Sequence, residues 1–229
     1  MKLIPAQRKQ LAAARKLLRS SEWPAVQQAL ALLAASNDPQ LWAIMAEGIS
    51  ISSSGRLQVG PGEIRKRTKA ANRDNAALHV ARPSGLLSGL SLLDLSGSFD
   101  TPNQWLSDLQ PLQGLTNLTT LDLSYCASLS DLQPLQGLTS LTTLSLAHGF
   151  SRPGHSGKTL SYVLQDLSSL SALVNLSSLD LCSCNGVTDL RPLYGLTRLR
   201  RLNLLFCRSV SDPEAAALQK ALPELTIAR

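Results

Sequence analysis

Aromatic residues make up only 4% of the 229 residues, so any core the chain builds is aliphatic. No stretch approaches the roughly 18 consecutive apolar residues of a membrane helix. Ser, Asn, Asp or Gln interrupts every leucine-rich segment, and a protein outside the membrane is expected. Histidine is scarce, with His79, His148 and His155 only, and nothing pairs a nucleophile with a base in a recognisable order. Enzymatic chemistry therefore finds no support. The four cysteines, Cys126, Cys182, Cys184 and Cys207, lack a zinc-binding spacing and suit packing better than pairing. The opening MKLIPAQRKQ lacks the roughly 7–15-residue apolar block of a secretory signal. These features together predict a reducing, cytoplasmic setting, with export of an effector without a cleavable signal as the alternative.

What is abundant is unevenly placed. Residues 1–83 hold 13 Lys/Arg against 5 Asp/Glu, whereas residues 84–229 hold 9 against 11. The net charge of +6 thus belongs to the first third. Leucine divides the chain at the same point, with 38 of the residues from Ser84 onward. That density calls for a repeat search.

The repeat becomes plain when Leu121, Leu179 and Leu202 are aligned. Residues 118–137 read LTTLDLSYCASLSDLQPLQG, residues 176–195 read LSSLDLCSCNGVTDLRPLYG, and residues 199–212 read LRRLNLLFCRSVSD. One frame, LxxLxLxxCxx(L/V)xD, fits all three. Central leucines fall at 93, 121, 144, 179 and 202, and SDLQPLQGLT occurs twice, at 107–116 and 130–139. The unit is 23 residues, with insertions in the first and third intervals.

Within each unit, Leu alternates with small or polar residues, the period-2 pattern of a strand with one buried face. Leucine then recurs every third position, as at Leu109, Leu112, Leu115 and Leu118, with a proline among them. That period suits 3₁₀ turns, in which side chains at i and i+3 eclipse. Each unit supplies one strand and one irregular return, and no unit is stable alone.

The frame LxxLxLxxC followed by (V/L)(S/T)DLxPLxGLxxL resembles the leucine-rich repeat, in particular the short bacterial subtype of the internalins. It has Cys in place of their usual Asn and one residue more per turn. The resemblance implies an α/β solenoid: a curved parallel sheet with a 3₁₀ or irregular convex side, whose usual role is binding other proteins on its concave strand face. It covers residues 84–212 as five strands. Residues 213–229 read as a helix from about Pro213 to Ala221 followed by a strand Leu225–Ile227, a cap for the last repeat.

Residues 1–83 read as a basic helical cap. Helices are expected at Gln7–Arg19, Trp23–Leu33 and Pro39–Glu47, a linker or hairpin at Gly55–Gly62, and a basic segment at Glu63–Val80 that forms a last helix. The run from Trp23 to Leu57 resembles a helix-turn-helix unit found ahead of repeats in some bacterial proteins.

Residues between the strand leucines project from the concave face. Asp94, Asp122, Ser145, Asp180 and Asn203 form its central row, flanked by Thr120, Thr143, Ser178 and Arg201 on one side and Ser124, Ala147, Cys182 and Leu205 on the other. One step beyond lie Tyr125, His148, Ser183 and Phe206. Neighbouring strands sit about 4.8 Å apart, so Asp94 and Asp122 face each other as like charges and invite a basic partner. Partner binding on this face is the expected function, with no catalysis and no cofactor or metal. Residues 149–162 form an inserted rim loop offering Phe150, Arg152, His155 and Lys158; its GHSGKT falls short of a phosphate-binding loop, because Arg152 stands where that motif needs glycine. Nucleic-acid or polyanion binding is the alternative, through Arg65, Lys66, Arg67 and Lys69.

Overall fold

The computed structural model describes residues 3–20, 22–36, 38–47, 49–52, 56–59, 66, 73–87, 89–97, 106–126, 128–147 and 164–229. The chain divides into two compact units, residues 1–88 and 89–229.

In the first unit, α1 (Pro5–Leu17), α2 (Trp23–Ala35) and α3 (Pro39–Met45) each begin with proline in the first turn, where a missing N–H costs nothing. Asp38 caps α3, its Oδ1 accepting from the Gln40 N–H at 2.9 Å. Its Oδ2 accepts from Gln7 Nε2 at 2.5 Å and ties α1 to the start of α3. The Gln7 hydrogen bond, aided by the Gln40 N–H, holds the Asp38 carboxyl below its usual range. Leu11, Ala14, Leu18, Val26, Ala29, Leu30 and Leu33 are buried at the spacing of facing helical stripes. A hairpin of β1 (Ile49–Ile51) and β2 (Leu57–Val59) follows, antiparallel with Ile49 opposite Val59. It begins earlier than the expected linker because Ile49 and Ile51 supply the strand. Helix α4 (Arg73–Ala81) covers the end of the expected Glu63–Val80 helix. Arg65, Arg67 and Lys69 lie outside the described residues, and Lys66 is exposed.

The second unit is a six-stranded parallel sheet in strict chain order: β3 (Leu92–Asp94), β4 (Thr120–Asp122), β5 (Thr143–Ser145), β6 (Ser178–Asp180), β7 (Arg201–Asn203) and β8 (Thr226–Ala228). The register aligns Leu93, Leu121, Leu144, Leu179, Leu202 and Ile227. The first five are the central leucines of the repeat frame and are buried. This register is that of a leucine-rich-repeat solenoid, as the repeat frame implies. The sixth strand is the C-terminal segment itself, one residue later than the expected Leu225–Ile227. It pairs with β7 in the same register as the repeats, because Leu225 turns inward and is buried.

On the return side, the leucine triplet period is realised directly. The Leu112, Leu115 and Leu118 N–H groups donate to the carbonyls of Leu109, Leu112 and Leu115 at 2.9–3.1 Å. The same i→i−3 chain recurs through Leu132–Leu141, Leu167–Leu176 and Leu190–Leu199. Consecutive tight turns point every third side chain inward, and all of these leucines except the half-buried Leu115 are buried almost completely. Each such burial contributes roughly 1.5–3 kcal/mol. An aspartate opens every return: Asp108, Asp131, Asp166 and Asp189 each accept, through Oδ1, from the backbone N–H two residues on, at 2.8–2.9 Å. That explains the D of the (S/T)DLxPL motif. Arg191 also grips Asp189 from its side chain, and this hydrogen bond, ahead of the backbone one, lowers the Asp189 pKa to about 2.

Between β7 and β8 lies α5 (Asp212–Ala221), capped by Ser211 Oγ accepting from the Glu214 N–H. Glu214 Oε1 accepts from the Leu190 N–H at 2.8 Å, which joins the closing helix to the return before it.

Candidate functional site

Strand alternation carries the expected row to one face of the sheet. Asp94 pairs in register with Asp122, Asp122 with Ser145, Ser145 with Asp180, and Asp180 with Asn203. Thr120, Thr143, Ser178 and Arg201 form the second row on the same face. All are half-buried except Arg201, which is exposed.

The acidic row also holds the backbone. Asp122 Oδ1 accepts from the Ser124 N–H at 2.8 Å, Asp180 Oδ1 from the Cys182 N–H at 2.8 Å, and Asn203 Oδ1 from the Leu205 N–H at 3.1 Å. Asp94 Oδ1 accepts from both the N–H and the hydroxyl of Ser96, at 2.9 and 2.6 Å. These are Asx turns, in which a side chain replaces a backbone acceptor just past a strand. One oxygen of Asp122 and of Asp180 is committed to the turn. The other, Oδ2, accepts no hydrogen bond among the described residues. Ser145 does something different, sharing a 2.6 Å hydrogen bond with Ser124 Oγ.

Beyond the Asx turn the chain bends sharply. Tyr125, Ser183 and Phe206 have φ of 59°, 63° and 62°, the left-handed region that bulky residues avoid. Gly97 stands at the same place in the first repeat, and His148 at that place in the third lies outside the described residues. The Gly97, Tyr125 and Ser183 N–H groups each donate to the next repeat's carbonyl at 2.8 Å, to Ser124, Ala147 and Leu205. Ser183 is buried, so it leaves the candidate row. Tyr125 is half-buried and Phe206 exposed. The rim-loop residues Phe150, Arg152, His155 and Lys158 also lie outside the described residues.

The corner cysteines are free, buried and directed across repeats. Their thiols donate to backbone carbonyls of the preceding unit: Cys126 to Leu95 at 3.3 Å, Cys184 to Leu146 at 3.1 Å and Cys207 to Leu181 at 2.9 Å. Among the described residues no group of three or more His, Cys, Asp or Glu side chains is placed to hold a metal, and no helix is long and apolar enough to cross a membrane.

Leu205, in the flanking row with Ser124, Ala147 and Cys182, is 38% exposed beside the 66%-exposed Phe206.

No protein-family model matches the chain, and no curated protein does. Solved structures with similarity include a leucine-rich-repeat protein of Leptospira interrogans, at 22% identity and a TM-score of 0.47 over 65% of this chain. The chain spans 33% of that structure's length. Internalin C2 of Listeria monocytogenes is similar at 22% identity and a TM-score of 0.38, covering 83% of this chain and 82% of that one. The leucine-rich-repeat domain of the type III effector XopL is similar at 17% identity and a TM-score of 0.30, covering 100% and 96%. None of these likenesses bears on function; the strand register of the chain itself carries the fold.

Proposed function

We propose that this chain is a non-catalytic protein-interaction module that receives its partner on the strand face of the repeats. The observation that supports this reading is the in-register row Asp94, Asp122, Ser145, Asp180 and Asn203. In it, Asp122 and Asp180 use Oδ1 to hold the turn, and Oδ2 accepts no hydrogen bond among the described residues. A rigid sheet of this kind loses little conformational entropy on docking. Small Thr and Ser side chains beside the row allow close approach, and a partner with a basic patch meets the carboxylates.

The test must remove charge without breaking the Asx turns. Asn203 shows that an amide holds the turn as well as a carboxylate does. The variant Asp122→Asn with Asp180→Asn is therefore expected to fold normally, and affinity capture from nuclease-treated lysate of the source organism is expected to lose proteins that the wild type retains. Equal retention by a folded variant would remove the acidic row from the interface.

A further inference from the structure

Phe206 pays two costs at once. Its backbone sits at φ 62°, in the left-handed region that non-glycine residues avoid. Its ring is 66% exposed and recovers little by burial. The same turn position holds Gly97 in the first repeat, the half-buried Tyr125 in the second and the buried Ser183 in the fourth, so among the described residues Phe206 alone exposes an aromatic ring there. Aromatic and arginine side chains are the usual anchors of interfaces.

The ring also has a setting. A cleft of about 300 Å³ lies between this turn and the closing segment, lined by Leu204, Phe206, Cys207, Arg208, Asp212 and Arg229. Arg229 is committed, pairing with Asp212 Oδ1 at 2.8 Å and donating to the Val210 carbonyl at 2.8 Å. Arg208 differs: its backbone N–H donates to Asn185 Oδ1 at 2.9 Å and to the Phe206 carbonyl at 3.0 Å. Its guanidinium makes no ion pair or hydrogen bond among the described residues. On the adjoining strand face, Leu205 extends the apolar surface, and the exposed Arg201 is another cation with no ion pair among the described residues.

We propose that this cleft is a second docking site, which takes an acidic linear segment of a partner protein. An apolar side chain of the segment packs against Phe206 and Leu205, and a neighbouring carboxylate meets Arg208. Charge complementarity selects this occupant: the unpaired cation beside the aromatic wall attracts a carboxylate, the opposite of what the acidic strand row attracts. The proposal rests on the chain being a protein-interaction module but not on the acidic row.

The experiment pans a display library of random linear peptides against the full chain and measures the selected peptides by fluorescence anisotropy. Peptides with Asp or Glu beside an aromatic or aliphatic residue are expected. Phe206→Gly and Arg208→Glu should each weaken them by about tenfold or more, the loss that truncating an interface anchor produces. Phe206→Gly should melt no lower than wild type, since glycine suits the turn. The proposal is overturned by an absence of enrichment, or by acidic peptides whose affinity both substitutions leave unchanged. Enrichment of basic peptides alone, lost in the Asp122→Asn, Asp180→Asn variant, would overturn it too, while upholding the strand-face reading.

Discussion

The Cys184 thiol reaches 3.1 Å across to the backbone carbonyl of Leu146, 38 residues earlier in the chain. Cys126 and Cys207 make the same bridge to Leu95 and Leu181. The corner cysteines thus do more than fill a tight bend. Each gives a corner carbonyl of the preceding repeat a donor from the next one, as at Leu181, whose carbonyl also accepts the Cys184 N–H at 2.9 Å, and so fastens one repeat to the one before it.

Replacing Cys184 by Ala should therefore cost about 0.5–1.5 kcal/mol, the net worth of a buried hydrogen bond, with the lost sulfur contacts in addition. Cys184→Ser keeps a donor and should recover part of that loss. Urea unfolding followed by circular dichroism compares them, and equal stability of the Ala variant and wild type would reduce the thiol to a space-filling role.

Alkaline pH should weaken the fold through Cys207. Burial first of all pushes this thiol above its ordinary 9.0, because the thiolate would lose its hydration. A group whose pKa is higher folded than unfolded adds stability that is complete below the unfolded value and is lost as pH rises through the folded one. The urea midpoint should fall above about pH 9, and Cys207→Ser should flatten that decline. An unchanged slope in the variant would assign the alkaline loss elsewhere.

Asp131 tests the return side. Its Oδ1 caps the 3₁₀ turn at Gln133–Leu135 through the Gln133 N–H, 2.8 Å away. Asp131→Ala should cost about 0.5–2 kcal/mol, as for the loss of a helix cap, and Asp131→Asn much less. The thermal midpoints of the two variants measure the difference. Equal losses would point to the charge rather than the cap.

The repeat period, the strand positions and the faces of their side chains were legible because they are local. Leu121, Leu144, Leu179 and Leu202 recur where alternation puts an inward residue, and Leu109, Leu112, Leu115 and Leu118 announce tight turns by their spacing alone. The aspartate at the head of each return was visible as a motif letter, but its role was not. Asp131 and Asp189 act on a backbone N–H that only a formed turn directs at them. For the acidic row the sequence located the residues and the register located their neighbours. That Asp122 and Asp180 each spend one oxygen on their own backbone followed only from the geometry.

By itself, then, the sequence determined that the leucine-rich part of the chain repeats as a coil with a polar strand face, because period 2 and period 3 are properties of neighbouring residues. Tertiary structure decided the rest: that Ile227 joins the sheet beside Leu202, that Cys184 meets the carbonyl of Leu146, and that Phe206 turns its ring outward beside Arg208. Each of these joins residues that the coil brings together or sets a dihedral against its residue's own preference, and no local pattern in a chain encodes either.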